Sequence, residues 1–228
     1  MMKALAVALV LVSLGTYVHA CTPLYPNPGT PAPTCCYTAT STGSMDAWYY
    51  GSTAGDDDSF KVIDETTGAS TDWLFDNKTT TAGVEIENIL TVHAGDLLEF
   101  ELRNKTENDI LTSIAADNPD GLNHTYAVAW PGETIPDTSV YVGSSVNGSS
   151  VTYIGMEDLT KQQNSDFNYG DGQYLLTDVS YSENSKCETS PTPEPGSILL
   201  LGTGMLGLAG FARRKLRVKQ GHRRCAQS

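Results

Sequence analysis

Leu98-Glu99-Phe100-Glu101-Leu102 is the stretch whose reading decides the fold class. Apolar and acidic residues alternate there with a period of two. In a strand, that puts Leu98, Phe100 and Leu102 on a buried face and the two glutamates on a wet one. Outward from it, short runs rich in Val, Ile, Tyr, Thr and Phe recur at 47–50, 60–64, 84–92, 97–103, 124–130, 150–155 and 174–181. Clusters of Gly, Asn and Asp separate them, as turns separate strands. Between the two ends of the chain no stretch sustains a helical period. The prediction is an all-β body over 45–183, a β-sandwich or jelly roll. Residues 21–44 are dominated by Pro, Thr and Ser and read as an extended surface leader.

Both ends of the chain differ from this body. Lys3 precedes an uncharged apolar stretch at 4–14, and Val18-His19-Ala20 offers small residues at −3 and −1 before Cys21. That is a secretory signal peptide over 1–20, removed by signal peptidase. Cys21 would be a lipidation site only with a lipobox, and His19 fits one poorly. At the other end, a Pro-rich linker over 184–196 leads into an uncharged Leu/Gly-rich run at 197–212. As a helix that run is roughly 24 Å long, somewhat short of a bilayer's hydrocarbon core of about 30 Å. Arg213, Arg214, Lys215 and Arg217 follow at once and can snorkel to the interface. The expected arrangement is a single transmembrane helix with a basic cytoplasmic tail over 213–228.

Charge divides the same way. All 27 acidic residues lie between positions 46 and 194 against six Lys/Arg, a net of −21, while seven basic residues and no acid fall within 213–224. So acidic a body repels nucleic acid and anionic membranes, which excludes a nucleic-acid partner. It suits solubility, and it suits cations.

Pro193-Glu194-Pro195, then the Gly/Leu-rich span, then Arg213-Arg214-Lys215 resembles the PEP-CTERM sorting signal. The resemblance implies processing by an exosortase, a membrane-embedded cysteine transpeptidase of exopolysaccharide-making Gram-negative bacteria. It further implies transient anchoring in the inner membrane, cleavage near 193–195, and transfer of the body to the cell surface or biofilm matrix. The extra residues at 218–228 depart from the usual short ending. Within the body, Val92-His93-Ala94-Gly95-Asp96, Asn118-Pro119-Asp120-Gly121 and Gly155-Met156-Glu157-Asp158-Leu159 with Asp166-Phe167-Asn168-Tyr169-Gly170-Asp171 resemble an uncharacterised β-sandwich domain of exported bacterial proteins. That domain ends in E-D-L followed by D-x-D-[YF]-N-D. Here Asn168 replaces the middle Asp and Gly170 the Asn, which removes one charge and one side-chain oxygen.

Glu157, Asp158, Asp166, Asn168 and Asp171 are hard oxygen donors close in sequence, the ligand type that Ca²⁺ takes. Their spacing is not that of an EF-hand. The competing reading is a polar turn whose Asx side chains bond their own backbone. Asp56-Asp57-Asp58 reads as a solvated loop. Only His93 and His124 fall in the mature body, and no G-x-S-x-G, H-E-x-x-H, P-loop or dinucleotide fingerprint is present. Cys35 or Cys36 bonded to Cys187 would clasp the two ends of the body; with Cys21 in the leader, four cysteines allow three pairings, and the sequence does not choose between them. The expectation is a non-enzymatic surface or matrix protein associated with exopolysaccharide, with Ca²⁺ as candidate cofactor. The alternative is an exported hydrolase acting on polysaccharide through a carboxylate pair.

Overall fold

The computed structural model describes residues 23–183. The signal peptide, the linker, the apolar span and the basic tail lie outside the described residues. So do Cys187, Pro193, Glu194, Pro195, Arg213, Arg214, Lys215 and Arg217.

Fourteen strands run through the described residues. In chain order they are β1 (Cys35–Ala39), β2 (Gly43–Gly51), β3 (Asp58–Asp64), β4 (Ala69–Ser70), β5 (Glu85–Val92), β6 (Leu97–Asn104) and β7 (Asp109–Thr112). Then follow β8 (Thr125–Ala129), β9 (Glu133–Thr134), β10 (Tyr141–Val142), β11 (Ser145–Val146), β12 (Ser149–Met156), β13 (Gly172–Thr177) and β14 (Val179–Glu183). One sheet has the order β14-β1-β6-β3-β4, with β7 also on β6. The second has the order β11-β12-β13-β2-β5, with β8 also on β12. All pairings within the two sheets are antiparallel.

The two sheets share one core. Phe60, Val62, Leu98, Phe100 and Leu102 from the first meet Met45, Ala47, Tyr49, Ile154, Tyr174 and Leu176 from the second. The rings of Phe60 and Tyr174 stack across the interface with centroids 3.9 Å apart. Full burial of each such side chain stabilises by about 1.5–3 kcal/mol. The second sheet is covered on its other face too. There Trp48, Tyr50, Tyr153 and Leu175 pack under Trp130, Ile135 and Val142 from the segment after β8. That is why every residue of β13 is buried and the strand shows no alternation.

The fold corrects four expectations. Residues 35–44 are not leader: β1 lies between β14 and β6, and Tyr37 is in the core. Its tyrosine and alanine alternate with outward Cys36 and Thr38, a strand pattern hidden by the surrounding Pro and Thr. Residues 23–34 also pack on the body, with Tyr25 and Ala32 buried. The run at 174–181 is two strands, because Asp178 takes a left-handed φ of 61° and carries the chain from one sheet to the other. Its carboxylate accepts hydrogen bonds from Ser41 at 2.5 Å and Thr40 at 3.1 Å, which pins that crossover. Lastly, the alternation in β6 holds, but its outer face is not wet at Glu99, which is only 7% exposed.

Candidate functional site

The E-D-L segment continues directly from β12, and the loop at 164–171 folds back over it. Asp171 N–H donates to the Met156 carbonyl at 3.1 Å, and Asp158 N–H to Asp171 Oδ2 at 3.2 Å. Gly155 permits this closure: a Cβ there would lie 2.5 Å from the Tyr169 carbonyl oxygen. Phe167 and Tyr169 both adopt left-handed backbone, with φ of 45° and 58°. That conformation costs roughly 1–2 kcal/mol per residue, and the burial of both rings against Tyr25 and Ala32 offsets it. The Tyr169 hydroxyl donates to the Asn123 carbonyl at 2.8 Å and accepts from Ala32 N–H at 2.6 Å. Gly29 N–H donates to the Asp166 carbonyl at 2.7 Å. Residues 23–34 therefore clamp this loop in place.

A second loop faces it. The three consecutive aspartates before β3 have three different environments. Asp57 takes Lys105 Nζ at 2.8 Å, and the same ammonium holds Asp76 at 2.5 Å. Asp56 Oδ2 accepts from Asn104 Nδ2 at 2.9 Å, and that Nδ2 also reaches the Asp158 carbonyl at 3.2 Å. Asp58 is fully buried; its N–H donates to Asn77 Oδ1 at 2.9 Å and its Oδ2 accepts from Asn77 Nδ2 at 3.2 Å. Its Oδ1 has no hydrogen-bond partner. Between the loops lies a cleft of about 250 Å³, lined by Asp56, Glu157, Asp158, Ser165, Asp166 and Asp171 among others.

Negative charge is concentrated here with little to oppose it. The Asp158 carboxyl lies within hydrogen-bond reach of those of both Asp58 and Asp171. Burial, and then the Asp158 charge, push Asp58 up to about 8. Burial with Glu157 and Asp158 nearby pushes Asp171 up to about 10. Asp158 is raised as well, chiefly by burial. Glu157 is pushed up to about 7 by burial, although Ser165 Oγ donates to it at 2.5 Å and Tyr169 N–H donates to its other oxygen. No Lys or Arg lines the cleft. Lys78 is turned to the Ala54 and Gly55 carbonyls, at 3.2 and 3.0 Å. Among the described residues, no group of three or more His, Cys, Asp or Glu side chains is placed so that it could hold a metal ion.

Of the five oxygen donors singled out in sequence, Glu157, Asp158, Asp166 and Asp171 line one cleft. Asn168 does not. It donates to Asp166 Oδ2 at 2.7 Å and accepts from Gly170 N–H at 2.6 Å, so its side chain serves the turn. Asp56 and Asp58 escaped the sequence reading as a solvated loop. The signal was present, because continuing the inward face of β3 back from Val62 and Phe60 by two residues reaches Asp58. His124 is fully buried, with Nε2 at 3.0 and 3.2 Å from the Asp120 oxygens, and Asp120 also accepts from Lys161 N–H at 2.9 Å. It joins two loops. The His93 ring is exposed, 3.3 Å from Asp96. Cys35 points into the core and Cys36 out of it.

Residues 191–215 match the family model of the PEP-CTERM protein-sorting motif. The chain thus carries the C-terminal signal of an exosortase-processed exported protein. No curated protein and no solved structure matches the chain.

Proposed function

We propose that this is a surface or biofilm-matrix protein of a Gram-negative bacterium, released from the inner membrane by exosortase, with a non-enzymatic adhesive or structural role beside exopolysaccharide. The observation that carries the reading is the motif at 191–215, which follows β14 (Val179–Glu183) in the sequence. A net charge of −21 before the apolar span and seven cations after it favour a body outside and a tail inside. In the body, His124 is locked in a buried pair and His93 stands exposed beside Asp96, and neither belongs to a nucleophile motif. A retaining glycosidase separates its two carboxyls by about 5–5.5 Å and an inverting one by more. The Asp158 carboxyl sits closer than that to the carboxyls of Asp58 and Asp171, within hydrogen-bond reach of each, which disfavours either pair as a hydrolytic one.

Cell fractionation tests the sorting. The wild-type body should be recovered at the cell surface or in the matrix, and a Pro193→Ala/Glu194→Ala/Pro195→Ala chain should remain in the inner membrane. Equal surface yield from both would overturn the reading. For the non-enzymatic role, the purified protein should bind the producing strain's exopolysaccharide without releasing reducing sugar. Sugar release would overturn that part alone.

A further inference from the structure

We propose that the outer face of the first sheet around Trp73 and Arg103 binds uronate residues of an acidic polysaccharide. This surface serves the matrix role proposed above, and its assignment rests on that reading. Phe60, Val62 and Leu102 point into the core, so the alternate residues Ser59, Lys61, Glu101 and Arg103 face outward. Arg103 lies between Ser59 of β3 and Ile110 of β7 in the strand register. Trp73, from the segment after β4, lays its indole on this face, with Arg103 Cζ 4.4 Å and Lys61 Nζ 5.6 Å from the ring centroid. Trp48 and Trp130 are buried, so Trp73 is the one tryptophan that reaches the surface.

The Arg103 guanidinium is what points to a ligand. Residues 23–183 carry 25 Asp and Glu against five Lys and Arg. Lys61 pairs with Glu101 at 3.3 Å, Lys105 pairs with Asp57 and Asp76, and Lys78 donates to two carbonyls. Among the described residues Arg103 pairs with no carboxylate. Its Nε is buried without a hydrogen-bond partner, and its two Nη groups, neither bonded nor buried, are open to solvent. A planar fork of donors fits a carboxylate through two parallel bonds. Stacking on an indole holds that fork flat without using its donors. In a chain with carboxylates to spare, a guanidinium held by a ring rather than by an acid keeps its donors for an incoming carboxylate. Lys61 adds a second positive charge to the face. Ile110, 44% exposed, and the Trp73 ring supply apolar surface for the C–H face of a pyranose. A uronate joins a carboxylate directly to such a ring, whereas an acidic peptide carries its carboxylates on flexible chains. Charges elsewhere on the acidic body are screened beyond about 8 Å at physiological ionic strength, so the ligand meets the local cations.

The test follows tryptophan fluorescence and titration heat of the full chain in detergent, at about 0.15 M ionic strength. The probes are oligogalacturonate, the same oligomer with its carboxyls reduced to alcohols, and poly-glutamate of matching length. Oligogalacturonate alone should bind saturably and change the fluorescence. Arg103→Lys keeps the charge but loses the fork, and should weaken binding roughly tenfold. Trp73→Phe should remove the fluorescence change and weaken the binding read as heat. Lys161→Gln, which removes a cation on a separate turn, should leave the affinity unchanged. No saturable heat or fluorescence change with oligogalacturonate overturns the site. So does equal binding of the neutral oligomer or of poly-glutamate, or an affinity unchanged in Arg103→Lys. Equal binding of the producing strain's exopolysaccharide by wild type and Arg103→Lys would keep the matrix role and reject this site.

Discussion

The backbone N–H of Ala32 donates to the hydroxyl of Tyr169 at 2.6 Å, joining residues 137 positions apart. Through this bond the segment before β1 holds the loop that closes the carboxylate cleft. Tyr169→Phe keeps the ring but leaves Ala32 N–H and the Asn123 carbonyl unpaired in the interior. It should lower stability by about 1–3 kcal/mol, read by denaturant unfolding. A loss below a few tenths of a kcal/mol would mean that residues 23–34 merely lie against the body.

Glu99 gives the molecule a pH dependence of definite sign. Burial, and then Glu65 beside it, push its carboxyl up to about 7 from the usual 4.5. The native state therefore holds this proton where the unfolded chain has released it, and the stability it contributes is lost as pH rises from about 4.5 through about 7. Glu99→Gln removes that loss. The stability difference between the variant and wild type should grow by about 1–3 kcal/mol between pH 5 and 7.5. Parallel pH curves for the two proteins would show that Glu99 ionises freely in the fold.

The same residue shows how far the sequence could be read. The period of two in β6 correctly assigned Leu98, Phe100 and Leu102 to the core, since side-chain alternation is a local property of the strand. What covers the opposite face is not local. Glu99 is buried because Glu65 and Thr112 reach it from the turn after β3 and from β7. The cleft follows the same logic. Glu157, Asp158 and Asp171 could be found as a cluster because one motif holds them. Asp58 arrives from about 100 residues away, and only the pairing of β3 with β6 and the seating of β13 on β2 bring it there. β1 was hidden for a compositional reason: its five residues sit among Pro, Thr and Ser, which weigh against a core strand.

Gly155 should resist substitution despite its ordinary strand backbone. Gly155→Ala drives a methyl group against the Tyr169 carbonyl, 2.5 Å from the ideal Cβ, and against the Tyr153 ring at 3.2 Å. A backbone oxygen cannot step aside as a flexible side chain can, so the loop must shift. The expected loss is about 1–3 kcal/mol, read by denaturant unfolding. Wild-type stability in this variant would mean that the loop is not seated on β12.

Of the two candidate cysteines at the start of the body, Cys36 is the one expected to form the disulfide. Cys35 points inward, where burial raises its thiol. Cys36 points outward, opposite Ser182 in the β1–β14 register, and Cys187 follows Ser182 by five positions in the sequence. Closing so long a loop typically stabilises by about 2–4 kcal/mol. Peptide mapping of the exported, unreduced protein should recover Cys36 linked to Cys187. Recovery of Cys36 as an alkylated thiol would refute the assignment.

The central claim is that the C-terminal motif directs exosortase to release an acidic β body. The intact mass of the protein from the producing strain and from the same strain lacking its exosortase tests it most directly. With the enzyme, the surface protein should begin after the signal peptide and end near Pro193–Pro195, without the apolar span and basic tail. Without it, the chain should stay in the membrane fraction with its mass reaching to Ser228. A surface protein of identical mass from both strains would contradict the account.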